Sequence, residues 1–243
     1  MHNVYQIKNV CKTYPNGHKA LNNVSININQ GEVIGLIGVN GSGKTTLSSI
    51  IASLIPLTSG EVLYNGKSIY DNISKHRQMI GLCPQKINLD NRITVKENLI
   101  NDALFFGLSR KEAVERFNVI SKKLMLQEYE NSYPATLSGG YKQRVSIGRS
   151  LMHDPKLVIF DEPTLGLDPH IRKHLWDIIL DLKKDGVSVI LTTHYMDEVE
   201  YLSDYICLLH NGEVKFSGTL DELKKERNGN LEDIMVAISE EEA

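Results

Sequence analysis

The sequence predicts an α/β protein: a mostly parallel sheet flanked by helices, with an antiparallel β layer beside it and an all-helical insertion. Three observations carry this. The runs Val33-Ile34-Gly35-Leu36-Ile37, Leu157-Val158-Ile159-Phe160 and Val187-Ser188-Val189-Ile190-Leu191 have the near-continuous hydrophobicity of strands buried on both faces. Helical patterns follow each of them, the alternation that yields parallel sheets. From about residue 89 to residue 148 the strand signal disappears and helical spacing replaces it.

The first elements are strands. Residues 4–10 and 21–29 nearly alternate apolar and polar side chains, as Leu21, Val24, Ile26 and Ile28 do, which predicts an antiparallel layer drawn largely from residues 1–30 and 60–70. Between them, Lys12-Thr13-Tyr14-Pro15-Asn16-Gly17 is a turn sequence with one aromatic ring. Tyr14 either packs into the core or stacks on a purine.

Next comes Gly38-Val39-Asn40-Gly41-Ser42-Gly43-Lys44-Thr45-Thr46, set between the apolar strand 33–37 and a helix starting near Lys44. Glycines allow a tight turn with successive N–H groups facing inward, and the helix N-terminus adds positive potential, so the loop is a cradle for phosphate. In the pattern G-x-x-x-x-G-K-[ST], Lys44 reaches the β- and γ-phosphates and the Thr45 hydroxyl ligates Mg²⁺. A nucleoside-triphosphate site on a P-loop core is predicted. Leu47, Ile50, Ile51 and Leu54 then recur at helical spacing before Pro56, residues 58–66 read as a turn, a short strand and a second turn, and the apolar strand from Met79 runs into Pro84 and an exposed Gln85.

Within the helical stretch, Thr94-Val95-Lys96-Glu97 and Ser109-Arg110-Lys111-Glu112 have capping-box spacing, so a helix is predicted to begin at each. A third helix, running to about Met152, opens at Ser138-Gly139-Gly140, where Ser138 is an N-cap candidate and the glycines leave an anion-receptive start. Asp161 and Glu162 close the next buried strand, at the edge where α/β sheets place their ligands. There Asp161 suits Mg²⁺ through water, and Glu162 suits polarising an attacking water. Pro169 fits the first turn of an amphipathic helix that ends at Lys184. The strand 187–193 ends at His194, and a short helix 196–202, strand 205–209, turn His210-Asn211-Gly212 and strand 213–216 follow. Residues 239–243 read as a solvated tail.

Whole-chain properties narrow the class. The 243 residues suffice for a core without staples and read as one domain, with core segments 1–88 and 151–243 around a helical subdomain 89–150. Cys11, Cys83 and Cys207 are odd in number and far apart, which excludes a disulfide framework and points to a reducing compartment. A net charge of -3, from 27 Lys+Arg against 30 Asp+Glu, leaves no electrostatic footprint for nucleic acid. The start lacks a signal-peptide pattern and no stretch approaches ~18 apolar residues, so a soluble, cytoplasmic chain is expected.

Leu137-Ser138-Gly139-Gly140 followed by Tyr141-Lys142-Gln143-Arg144 resembles the signature motif of the ATP-binding cassette (ABC) ATPases. With the phosphate loop, Gln85, Asp161-Glu162, His194 and Pro163-Thr164-Leu165-Gly166-Leu167-Asp168-Pro169, similar to the family's D-loop, the resemblance covers nearly the whole chain. The D-loop departs from the commonest Ser-Ala-Leu-Asp form but keeps Leu167-Asp168. The resemblance implies an ABC-type core binding ATP and Mg²⁺, with Thr45, Gln85 and Asp161 at the metal and Glu162, His194, Gln85 and Asp168 serving hydrolysis. It further implies that two chains sandwich two ATP molecules, each between one chain's loop and Ser138-Gly139-Gly140 of the other. A homodimer or a paralogous ATPase partner is therefore expected, together with a separate transmembrane permease subunit that holds the chain at the cytoplasmic membrane face. Leu104, Phe105 and Phe106 either line a cleft for that permease or form insertion core. The competing class, soluble ABC ATPases of translation or DNA maintenance, resembles tandem cassettes or carries long coiled coils, and neither is present. Gly166-Leu167-Asp168-Pro169 with Thr192-Thr193-His194-Tyr195-Met196-Asp197-Glu198-Val199-Glu200 looks most like ABC-2-type exporters.

Overall fold

Two strands with alternating burial begin the chain in the computed structural model, which describes residues 3–227 and 229–240. β1 (Asn3–Thr13) and β2 (Lys19–Asn29) pair antiparallel, Ile7 opposite Ile26 and Val10 opposite Val24. β1 runs past the expected Val10 because a bulge, with Asn9 at φ 50°, resets its register and lets pairing continue to Thr13. β3 (Val33–Ile37), the glycine loop and α1 (Lys44–Ile51) come next. α1 stops well before Pro56 because Ser53 takes a left-handed φ of 56°.

β4 (Ser59–Tyr64) and β5 (Lys67–Ser68) complete a four-stranded antiparallel sheet of order β2-β1-β4-β5. α2 (Ile73–Arg77) leads to β6 (Ile80–Cys83). The insertion supplies α3 (Val95–Phe105), α4 (Arg110–Lys123) and α5 (Gly139–Leu151). Both capping boxes form: the Thr94 hydroxyl accepts from the Glu97 N–H at 3.2 Å while the Glu97 carboxylate accepts from the Thr94 N–H at 2.8 Å, and Ser109 and Glu112 repeat the exchange. The chain then alternates β7 (Leu157–Asp161), α6 (Pro169–Lys184), β8 (Ser188–Thr192), α7 (Met196–Leu202), β9 (Tyr205–His210) and β10 (Glu213–Gly218), before α8 (Leu220–Arg227) and α9 (Leu231–Glu240).

The second sheet has order β10-β9-β3-β8-β7-β6, parallel throughout except for β10. Its two faces build two cores. Ile34, Leu36, Leu157 and Ile159 pack with α1 and the antiparallel sheet, whereas Val33, Val158, Phe160 and Leu191 pack with α6 and the helical insertion. This two-sided burial explains why the parallel strands read as unbroken apolar runs. The register brings three strand ends into line, with Leu36 opposite Thr192 and Thr192 opposite Asp161.

Two expectations change. Ser239 and Glu240 belong to α9 and not to a tail, because Leu231 and Ile234 anchor that helix on Ile37, Val199 and Leu208; residues 241–243 lie outside the described residues. Leu104 packs on the core and Phe106 stacks on His153 at 3.9 Å, so only Phe105, 85% exposed, is free to meet a partner.

Candidate nucleotide site

The loop after β3 closes on itself. The Ser42 N–H donates to Val39 O at 3.1 Å, and Ser42 O accepts from the Gly212 N–H at 3.0 Å, tying the loop to the turn between β9 and β10. Gly38 has φ 151°, and a Cβ there would stand 2.2 Å from Leu209 O. Gly43, at φ 108°, would bring one within 2.8 Å of Ala20 O, so both positions require glycine. Lys44, 7% exposed, points its ammonium back into the loop and donates to Gly38 O at 2.7 Å and Val39 O at 3.0 Å. Burial pushes its pKa down, while Glu162 and Asp161 oppose that shift. The Ser42 hydroxyl is buried with no partner among the described residues. An orphaned hydroxyl beside an ammonium held only by carbonyl oxygens is what a phosphate-binding loop leaves for its anion.

A cleft of about 240 Å³ opens over the loop, lined by Tyr14, His18, Ala20, Asn40, Gly41, Gly43, Lys44, Thr45, Thr46, Gln85 and Glu162. A slightly larger one, about 280 Å³ and lined by Tyr64, Lys67 and His76, lies away from the loop, so size alone does not locate the chemistry. Tyr14 belongs to the cleft and not to the core; its hydroxyl meets Thr46 Oγ1 at 3.3 Å.

Opposite Lys44, Glu162 occupies the left-handed region at φ 51°, a conformation costing ~1–3 kcal/mol in a non-glycine residue and concentrated at functional sites. Its backbone N–H donates to Thr192 O at 3.0 Å and to Thr192 Oγ1 at 3.1 Å. The Thr192 hydroxyl in turn donates to Asp161 Oδ1 at 2.5 Å, so one side chain orients both acidic residues. The Glu162 carboxylate is gripped from two sides: Gln85 Nε2 donates to Oε2 at 3.1 Å, and His194 Nε2 lies 2.8 Å from Oε1. Each oxygen keeps a lone pair for water. Asp161 retains an uncommitted carboxylate oxygen, and with the Thr45 hydroxyl it offers the hard oxygen donors Mg²⁺ takes alongside substrate phosphates. Among the described residues no three His, Cys, Asp or Glu side chains gather to hold a metal by themselves, so that donor set depends on the nucleotide.

The remaining predicted residues lie elsewhere. Ser138 and Gly139 are exposed at the start of α5, and with Gly140 they are absent from the cleft lining. Ser138 holds the extended N-cap conformation, yet its side chain makes no capping hydrogen bond, leaving the hydroxyl facing outward instead of serving its own helix. Asp168, exposed at the N-cap of α6, likewise makes none. Sequence reasoning missed Thr192 and His18. Thr192 reads as one more β-branched residue in an apolar strand, and only its pairing with Asp161 reveals it. It also missed the support of His194: buried Glu198 accepts from Thr193 Oγ1 at 2.5 Å and Trp176 Nε1 at 2.7 Å, while Thr193 Oγ1 accepts the Tyr195 N–H at 3.1 Å.

A phosphate-binding loop on a parallel sheet, with acidic residues and a histidine at neighbouring strand ends, defines a P-loop nucleoside triphosphatase. The family model described as ABC transporter matches residues 21–165. The linearmycin resistance ATP-binding protein LnrL of Bacillus subtilis (strain 168) is 39% identical over 219 residues, covering 90% of this chain and 70% of LnrL. The structure of an ATP-binding subunit of an ABC transporter superposes with a TM-score of 0.89 at 31% identity, covering 97% and 99% of the two chains. The dimeric post-hydrolysis state of the ATP-binding cassette MJ0796, bound to ADP and Pi, gives 0.80 at 33% identity, covering 89% and 98%. The chain belongs to the ABC transporter family, as an ATP-binding and ATP-hydrolysing subunit that energises a membrane transporter. Among the described residues no helix is long and apolar enough to cross a membrane.

Proposed function

We propose that this cleft binds ATP with its β- and γ-phosphates in the loop 38–46, and that Glu162 polarises the attacking water while His194 and Gln85 fix its carboxylate. The observation that carries this is the two-sided grip on Glu162 at the rim of the cleft that Lys44 lines. Tyr14 stacks on the base. Thr45, Asp161 and Gln85 hold Mg²⁺, which when bound neutralises charge on the transferring phosphoryl group. Ser138, Gly139 and Gly140 of a second cassette, a copy or a paralogue, face the γ-phosphate. Asp168 contacts that second cassette. The exposure of these residues, and their position outside their own cleft, support a composite site.

The helical stretch 89–150 acts as a subdomain between the core, 1–88 and 151–243, and a separate permease on the cytoplasmic face of the membrane. Phe105 is its exposed aromatic contact. LnrL is named for resistance to linearmycin, which supports an exporter as the machine served.

Glu162→Gln keeps shape and loses basicity, so ATP affinity should persist while turnover falls ~10²–10⁴-fold. Lys44→Ala should instead weaken ATP binding itself, because it removes the cation inside the loop. Titration and phosphate release on both variants check the roles; near wild-type turnover in Glu162→Gln overturns the assignment of Glu162.

A further inference from the structure

Tyr14 does not stand alone at the mouth of the cleft. The last paired residues of the first hairpin are Thr13 and Lys19, so Tyr14 and His18 are the next positions across it. Short hydrogen bonds hold that end: the Tyr14 N–H donates to His18 O at 2.9 Å, the Gly17 N–H to Tyr14 O at 2.9 Å, and the His18 N–H to Asn16 Oδ1 at 3.1 Å. Their rings lie 10° from parallel with centres 6.4 Å apart, and both line the cleft. Tyr14 is tethered by its hydroxyl to Thr46 on α1, and Lys12 Nζ sits 5.3 Å from its ring centre while donating to Pro56 O at 2.6 Å. The imidazole of His18 makes no hydrogen bond among the described residues, and the residue is exposed, so it is the adjustable member of the pair.

We propose that the purine base of the nucleotide enters between these two rings, so that His18 is a second stacking surface and the site clamps the base on both faces. This rests on the reading of the cleft as an ATP site and adds a residue to it. Stacked aromatic planes lie ~3.4 Å apart, so a base between two rings needs ~6.8 Å. The ring centres are 6.4 Å apart and the planes nearly parallel, and movement of the exposed His18 side chain opens the gap between them to that width. Both rings would meet the base by their faces and not by their edges, so recognition comes from stacking area and favours the larger purines over pyrimidines.

The test measures Kd for ATP, CTP and inorganic tripolyphosphate, each with Mg²⁺, on the full chain and on Tyr14→Ala, His18→Ala and His18→Phe, with melting curves confirming that each variant folds. His18→Ala should weaken ATP about 5- to 100-fold, the equivalent of one lost base stack, leave tripolyphosphate unchanged and narrow the preference for ATP over CTP. His18→Phe should restore most of the affinity. The clamp is overturned if His18→Ala binds ATP within about two-fold of wild type while Tyr14→Ala does not, or if His18→Phe is as weak as His18→Ala. If the wild-type chain binds tripolyphosphate and ATP equally, base stacking fails on both faces. If it binds neither, the ATP site itself falls and the clamp with it.

Discussion

At the scale of single residues, Thr192 has more influence than its chemistry advertises. Its hydroxyl accepts from the Glu162 N–H and donates to Asp161, so it holds the Glu162 backbone and one Asp161 carboxylate oxygen at once. Thr192→Val keeps the shape and removes the hydroxyl. Positioning partners of metal ligands typically account for ~10–100-fold in metal affinity or activity, so turnover should fall by that range and require more Mg²⁺, with little change in metal-free ATP binding. A Mg²⁺ titration of turnover checks it. Two buried histidines act on stability instead. His76 donates from Nε2 toward Ile51 O at 2.8 Å and His153 toward Ile80 O at 2.9 Å, each with no partner for Nδ1 among the described residues, and burial holds both pKa values below the ordinary value of 6.5. The unfolded chain therefore binds more protons below about pH 6.5, and stability should fall as pH drops from there toward the folded values. Melting curves from pH 7.5 to 5.5 should slope less steeply in His76→Gln and His153→Gln.

At the scale of elements, the helix after the D-loop is tied to the segment carrying His194. Trp176 on α6 donates to Glu198 on α7, and Glu198 accepts from Thr193, next to His194. Arg172, also on α6, pairs with Asp197 and lies 4.4 Å from the centre of the Tyr195 ring. Since α6 starts at Asp168, one helix links the segment 163–168 to the side chains that brace the neighbourhood of His194. Trp176→Phe should therefore lower kcat about ten-fold and leave the Kd for ATP unchanged, since it loosens the histidine without touching the phosphate loop. Equal losses in binding and turnover would contradict a positioning role. Much of this architecture is legible before folding: buried-strand runs, two capping boxes and the glycine loop are local signals with local causes. α8 went unread: Thr219 and Glu222 exchange capping hydrogen bonds at 2.7 and 3.3 Å, but its polar sequence shows no apolar stripe. Thr192 and Glu198 were not legible, because each gets its role from a partner on another strand or helix, and His18 was not, because only the closed hairpin turn brings its ring beside Tyr14.

At the scale of the whole molecule, Ser138 lies exposed and outside the lining of its own chain's cleft. Glu162→Gln should be monomeric without nucleotide or with ADP and dimeric with ATP, since the γ-phosphate bridges the halves in the proposed sandwich. Adding Ser138→Arg should abolish that dimer while leaving ATP on the loop, which light scattering and titration read separately. The outward-facing Ser138 also has a genetic consequence. In the proposed sandwich, a chain with Lys44→Ala would spoil the site that uses its own loop, and a chain with Ser138→Arg would spoil the site that uses its partner's loop. When the two variants pair, both defects fall in the same site and the other site is built entirely from intact halves. Since neither variant should pair with itself, only mixed pairs form, and two inactive proteins mixed in equal amounts should recover up to about half of the intact sites of the wild type, one in each mixed pair. Complementation between dead alleles would then reveal that each active site is shared by two chains.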